Sequence, residues 1–546
     1  MVTDRRKFLR NAAAGGIGWQ LVPGEARAFA EPIVCRVVDV ESGRPSPARV
    51  RLVDRWGREV VPLGHSADLA EGAQEGDVRF QSRRYSYVNG QFTVDPAWLP
   101  LQYQALKGYE YGIASGELTQ TGVRDGTFTI PLSRWSSVSR EGWYSGDIHI
   151  HHIAPKTCRL EMDAEDLNVA NILTSDFTLD QDQFRGEIDA HSGGKSLIYV
   201  SQEFRSPHLG HMCLLNLKEL IQPVKRQRPE AFPLHADVCD QVHAQGGYVS
   251  WAHFPSLPGI ENPLDVALEK LDALEILCVL EPRELPVLAH KAVPETSAES
   301  GLRMWYRYLN CGFRLTATAG TDKMTTFVTV GANRVYARLD GDFTYQNWIN
   351  SLRQGRTFVT NNPLLTFTVN GRESGVTLSL SSGKDKVLQI HAKAESQLPY
   401  DRLEIVANGQ VIAETSPSGA RHRAELHLEH PLRTSCWIAA RALENLHRYP
   451  GVDFSKIHRA EGTLLSSLYG TRRPENVFAH TSPVYAILDG KPIRSWDDAQ
   501  FYIRYMESAL RWLRTDARFA NAADKKASIE AFERGKAVYE ERARRQ

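Results

Sequence analysis

The chain has 546 residues, 42% hydrophobic and 24% charged, with Lys+Arg and Asp+Glu equal at 65 each. That length is more than one hydrophobic core serves and predicts several domains. The charge balance excludes a global footprint for nucleic acid or for an anionic membrane surface. The seven Cys stand singly, with no Cys-x-x-Cys, which excludes a zinc knuckle or a disulfide framework and reads as small buried apolar residues.

Residues 1–30 read as an address. Thr3-Asp-Arg-Arg-Lys-Phe-Leu-Arg10 is a twin-arginine core, Asn11-Ala-Ala-Ala-Gly-Gly-Ile-Gly18 a short apolar run, and Ala28-Phe-Ala30 an A-x-A cleavage site. The run is too short and Gly-rich to span a bilayer, and no other segment approaches that length, so no stable membrane insertion is expected. The expectation is export in the folded state to the periplasm or beyond, a route that suits a protein already loaded with a metal or cofactor.

Residues 31–138 alternate in short strands between turns, as in Ile33-Val-Cys-Arg-Val-Val-Asp39 and Ala48-Arg-Val-Arg-Leu-Val53, which predicts a β-sandwich. It resembles the carboxypeptidase-regulatory-like modules that precede some secreted enzymes, and it reads as a structural appendage without chemistry of its own.

From 139 to 362 the rhythm changes to apolar strands alternating with amphipathic helices, the pattern of a β/α domain. It opens on Gly146-Asp-Ile-His-Ile-His151, where a strand's period of two puts Asp147, His149 and His151 on one face. An imidazole pair beside a carboxylate is a donor set that borderline divalent cations prefer. Asp176, Glu203, His253 and Asp322 likewise fall at or just past the ends of predicted buried strands, the rim on which β/α barrels build their sites. Residues 363–490 return to alternation, with a hairpin signal at Asn408-Gly409, and predict a second β-sandwich. In the tail, 491–546, Ser495 precedes a helix with Tyr502, Met506, Ala509 and Leu513 on one face, and Ile529, Phe532 and Tyr539 mark a second.

The order Gly146-Asp-Ile-His-Ile-His151, Ala164-Glu-Asp-Leu-Asn-Val169, Gln202-Glu203 with Gly210-His211, Ala252-His253 and Ala319-Gly-Thr-Asp322 resembles the PHP (polymerase and histidinol phosphatase) superfamily. It is closer to the CehA/McbA-like metallohydrolase branch, whose named members hydrolyse the carbamate carbaryl and an aromatic amide. Arg356-Thr-Phe-Val-Thr-Asn-Asn-Pro363 and Ala479-His-Thr-Ser-Pro-Val-Tyr485 also look like segments of that branch. The resemblance implies a central distorted (β/α)7 barrel between the two sandwiches, with metals on its rim. The positions matching metal ligands are His149, His151, Glu203, His211, His253 and Asp322.

Two departures bear on the metal count. Asp176-Phe177 stands where the family has Asp-His, and Asp322-Lys323-Met324 where it has Asp-x-His, so one or two divalent ions (zinc, manganese or iron) are expected rather than three. A bound divalent ion lowers the pKa of water from about 15.7 towards about 7 and polarises a carbonyl or phosphoryl oxygen. In that chemistry Asp322 is the choice for ligand and proton acceptor, Glu203 can bridge two ions, and His211 can instead be the acid that protonates the leaving group.

Asp147, Asp176 and Glu275 are candidates for supporting the ligands; Glu275, inside an apolar strand, needs a partner in any case. Lys323 either supplies a fixed positive charge where a metal is missing or points to solvent. Arg205 and Lys195 either hold an anionic substrate or are solvated. His208 competes with His211, His152 is out of phase with the strand, and His235 and His243 read as structural. No Gly-x-Ser-x-Gly elbow, P-loop or dinucleotide fingerprint is present. The expected function is a metal-dependent hydrolase of an amide, ester or carbamate in a small-molecule or polymer-derived substrate. The alternatives are a PHP-type phosphoesterase and a non-catalytic metal-containing binding protein.

Overall fold

The computed structural model describes residues 31–66, 75–80, 83–176, 180–224, 231–255, 259–278, 282–283, 292–381, 387–446, 464–470 and 476–544. The twin-arginine segment, its cleavage site and Phe177 lie outside them. Alternation governs the N-terminal part: Ile33–Asp39 buries Ile33, Cys35 and Val37 on one face and turns Arg36 outward. It pairs antiparallel with Gln91–Val94 and parallel with Thr127–Leu132. This small sheet packs through Cys35, Val37 and Ile130 onto Val50, Leu52 and Leu101 of a second, antiparallel one built around Ala48–Asp54 and Leu101–Leu106.

This unit is fastened to the rest of the chain by buried charge. Arg49, fully buried, lies 2.6 Å from Glu165 and also donates to the carbonyl of Leu468. Tyr87 donates to the same glutamate, and Tyr109 to the carbonyl of Ala332. An appendage would not sink an arginine into its neighbour.

The central element is a mixed sheet of 15 strands. Trp143–Ile150, Val169–Thr174 and Leu197–Ser206 run parallel, as do Tyr248–Trp251, Ala273–Leu277 and Thr316–Ala319. Val169–Thr174 is buried at every position, as parallel strands covered on both faces require. Between the two parallel sets lies a hairpin: Leu197–Ser206 continues past Glu203 and turns back antiparallel as Gly210–Leu215. A strand ending at Glu203 was the expectation; Glu203 is instead inside the strand, and His211 begins its antiparallel partner.

One end of the sheet curls back onto its middle. Beyond Thr316–Ala319 the chain returns to Trp143–Ile150, where Ile150 bridges Lys323 and the His151 N–H donates to the Lys323 carbonyl at 2.8 Å. Helices Pro155–Ala164, His235–Ala244, Gly301–Asn310 and Tyr345–Arg353 cover it; the last two start at Ser300 and Thr344, whose hydroxyls accept the free first-turn N–H groups.

The expected break near residue 362 is not a break in hydrogen bonding. Thr357–Thr360 pairs with Phe478–Thr481, and the same sheet runs on through Cys436–Leu443 to the hairpin Arg402–Ala407 and Gln410–Thr415. The segments 356–363 and 479–485 form this seam: Asn361 bonds Asn476 and Phe478, and Ser482 accepts from the Ala317 N–H and bonds Thr357. His480 lies buried in it between Tyr306 and the Thr481 carbonyl, and burial pushes its pKa down to about 3. A separate antiparallel sheet of Leu364–Val369, Val387–Glu395 and Arg423–Pro431 completes this part. Helices Trp496–Thr515 and Ala522–Ala543 close the chain, burying Tyr502, Met506, Ala509, Leu513, Phe532 and Tyr539, with Ile529 only half-buried. Among the described residues no helix is long and apolar enough to cross a membrane.

Candidate metal centre

Where the sheet closes on itself, donor atoms converge. His149 Nε2 and His151 Nε2 are 3.0 Å apart. Asp322 Oδ1 lies 3.5 and 3.7 Å from them, and Glu203 reaches His151 Nε2 at 3.3 Å and His149 Nε2 at 3.8 Å. Glu203 also faces the other way: its Oε1 is 3.2 Å from His211 Nδ1 and 3.6 Å from His253 Nε2. The carboxylate thus joins two overlapping groups, one with His149 and His151 and one with His211 and His253.

The protons decide what these atoms can do. His151 Nδ1 is 2.7 Å from the Leu173 carbonyl, which can only accept, so its proton sits on Nδ1 and Nε2 presents a lone pair. His149 Nδ1 is likewise 3.1 Å from Glu275 Oε2. Two imidazole lone pairs and two carboxylates therefore point at one buried spot, and a cation is what satisfies them. Tetrahedral ligands at about 2.05 Å from zinc stand about 3.3 Å apart, and the spacings above bracket that value. The residues fit a divalent ion, and the cluster of His149, His151, Glu203 and Asp322 could hold one.

The negative groups around the cluster favour positive charge there, either a proton on His149 or an ion that displaces it. Burial alone would lower the His149 pKa, but Cys213, Glu275 and Asp322 outweigh it and hold it well above the ordinary histidine range. Burial would raise Glu203, but the imidazoles of His151, His211 and His253 around it hold it well below the carboxylate range. His211 is pushed down, by burial first and against the pull of Glu203.

The surrounding loops explain how these side chains are held. Asp147 does not join the converging atoms: its oxygens accept from the N–H groups of His149, Thr321 and Gly331 and from the Thr321 hydroxyl. It fastens the loop that carries Asp322 to the His149 strand. Glu275 Oε2 also accepts from the His253 N–H at 2.5 Å, so one carboxylate orients both histidines. His253 and Asp322 have φ of +35° and +46°, a region that non-glycine residues seldom occupy and that collects at functional sites. At Gly320 even a methyl group would lie 2.5 Å from Glu275 Oε1 and 2.6 Å from His149 Cβ.

Other candidates lie further out. Arg205 is half-buried, 3.5 Å from Glu203 Oε2 and 3.9 Å from Asp176, which is itself half-exposed and outside the cluster. Lys323 takes neither expected position: fully buried, it donates to the carbonyls of Thr325 and Val328 and lies 3.6 Å from Glu161. Lys195 is exposed and donates to Ser139. His208 packs beside Trp512 of the tail, and His152 stands beside His151 on backbone with φ +53°. His235 lies between Phe204 and Trp251, and His243 bonds Asp272.

Sequence reasoning missed Thr321, Gly320 and two of the cysteines. All seven cysteines are buried, but Cys213 Sγ is 3.4 Å from His149 Nδ1, and Cys278 groups with His149 and Glu275. No spacing signal marks these contacts, because 64 residues separate Cys213 from His149.

No family model matches the sequence, and a comparison with curated proteins finds no relative. Among solved structures the chain is similar to the crystal structure of PsfC from Pseudomonas syringae PB-5123, at 15% identity over 38% of this chain and 88% of that one, with a TM-score of 0.27. A likeness of that size bears on neither family nor function.

Proposed function

We propose that the chain is an exported metal-dependent hydrolase of the PHP superfamily, of the CehA/McbA-like branch, acting on an amide, ester or carbamate bond. The observation that carries this reading is the convergence of the His149 and His151 lone pairs with Glu203 and Asp322, their outer protons already committed. The return of Lys323 to Ile150 supports the distorted (β/α)7 barrel on which that superfamily builds its site. A divalent ion held there supplies Lewis acidity, lowering the pKa of water and polarising the substrate carbonyl.

The chain's own residues do the rest. His149, His151, Glu203 and Asp322 would hold the ion; Glu275 and the Leu173 carbonyl fix the two ring orientations. Asp322, with its side chain 11% exposed against 1% for Glu203, is the carboxylate nearest the open side and the one placed to accept a proton. His211 keeps its Nδ1 proton on Glu203, leaving Nε2 as the atom to receive a proton and pass it to the leaving group. Arg205, at the mouth beside Glu203, favours an anionic substrate group and keeps phosphoesters as the second reading.

The test is metal content by plasma mass spectrometry on the chain from Glu31, beside a His149→Ala/His151→Ala double variant. One or two equivalents retained through dialysis by the parent and lost in the variant are expected, with turnover on carbamate, amide, ester or phosphoester panels. A parent that retains no metal after repletion refutes the reading; retained metal without turnover on any panel turns it to a binding protein.

A further inference from the structure

A second group of donor atoms lies on a different surface. On the sheet of Leu364–Val369, Val387–Glu395 and Arg423–Pro431, alternate residues point inward: Leu388, Ile390, Ala392 and Ala394 are buried, as are Ala424 and Leu426. The intervening positions face solvent, and there His391 stands directly opposite His427. Glu425, two residues before His427, shares that face and is the diagonal neighbour of His391. Both rings turn to it. His391 Nε2 is 3.0 Å and His427 Nε2 3.3 Å from the same oxygen, Glu425 Oε1, and the rings stack with centroids 4.3 Å apart.

We infer that His391, Glu425 and His427 form a second, surface site for a borderline transition-metal ion such as zinc, copper(II) or nickel. The donor set is two imidazole nitrogens and one carboxylate oxygen, all within 4.8 Å of one another. Nitrogen donors select these ions over calcium or magnesium, which take oxygen.

The remaining charges on the face leave the site to this role. Arg423 lies 3.9 Å from Glu425 Oε2 and 3.6 Å from Glu395, and Lys393 pairs with Glu395, so the neighbouring cations sit on other oxygens than Oε1. A neutral imidazole can carry its proton on either nitrogen. Moving it to Nδ1 frees each Nε2 as a lone pair without a charge having to be neutralised. The anchoring strands are hydrogen-bonded to each other, so coordination needs only side-chain rotation, with solvent filling the remaining positions. Because the site is exposed, with His427 72% and Glu425 41% accessible, binding there is not coupled to folding as it is in the buried cluster. The inference is independent of the hydrolase reading.

The test uses copper(II) as probe on the chelator-stripped chain, counting equivalents and recording electron paramagnetic resonance. The parent should bind one equivalent more than a His391→Ala/His427→Ala variant, and the parent-minus-variant difference spectrum should show superhyperfine splitting from two nitrogens. Glu425→Gln should weaken that equivalent at least about tenfold. The thermal unfolding of the metal-free double variant should match the parent, which excludes misfolding as the cause. Equal counts and identical spectra in parent and double variant assign the copper to other histidines and overturn the inference.

Discussion

Glu275 offers a sharp test of how the buried centre is held. Its Oε2 accepts from His149 Nδ1 at 3.1 Å and from the His253 N–H at 2.5 Å, while Oε1 has no hydrogen-bond partner among the described residues and faces Gly320. In Glu275→Gln the amide can sit in two ways. With its oxygen in the Oε2 place both bonds survive, but the acceptor is neutral and a buried NH₂ is left without an acceptor at Gly320, a cost of about 1–3 kcal/mol. Turned over, the NH₂ faces His149 Nδ1 and drives the ring proton to Nε2, the atom that points at His151 and Asp322. Both outcomes weaken the ion's hold. Losing a partner behind a ligating histidine costs about 10- to 100-fold in metal affinity, or about 1.4–2.7 kcal/mol. Competition for zinc against a chromophoric chelator measures this directly. An affinity within about twofold of the parent would refute the account of Glu275 as the residue that orients His149 and His253.

Three further outcomes are expected. Gly320→Ala places its methyl against Glu275 Oε1 and His149 Cβ and should lower both metal content and melting temperature, whereas Gly419→Ala, at a φ of +58° but with open space around it, should leave metal content unchanged. Burial raises Glu161 from 4.5 to about 7 despite Lys323, so the folded chain keeps a proton that the unfolded chain gives up. That stabilisation is full below the ordinary carboxyl value and is lost as pH rises through about 7; in Glu161→Gln, chemical denaturation between about pH 5 and 8 should show a flatter profile, by on the order of 3 kcal/mol. Arg49→Ala leaves Glu165 buried without its partner and should cost about 3–5 kcal/mol, with Arg49→Met/Glu165→Gln recovering part of it in calorimetry.

The residues that carry the candidate site were legible because their signals are local. His149 lies near the end of a strand and His151 two residues on, just past it, and Glu203, His253 and Asp322 each accompany a run of buried apolar residues that a period or a length identifies. What escaped depends on pairing between distant segments. The hairpin at 206–210 joins two strands buried at nearly every position, so neither carries an alternation that would fix its direction. Asp147 reads as a support for the ligands, but the loop it fastens appears only when Thr321, 174 residues away, arrives beside it. Lys323 reads either as a fixed charge at the metal site or as a solvated one, because nothing in its neighbourhood announces Glu161, which the closing of the sheet brings to it.

The strand Thr357–Thr360 has hydrogen-bonded neighbours on both sides, Arg334–Arg338 and Phe478–Thr481. A chain cut after residue 362 would keep the first and lose the second, baring a row of N–H and C=O groups in a strand that is buried along its length. Such a fragment carries an adhesive rim and would self-associate before its histidines could be assayed. For recombination or expression, the half that bears the histidines and the strands that follow it travel as one cassette.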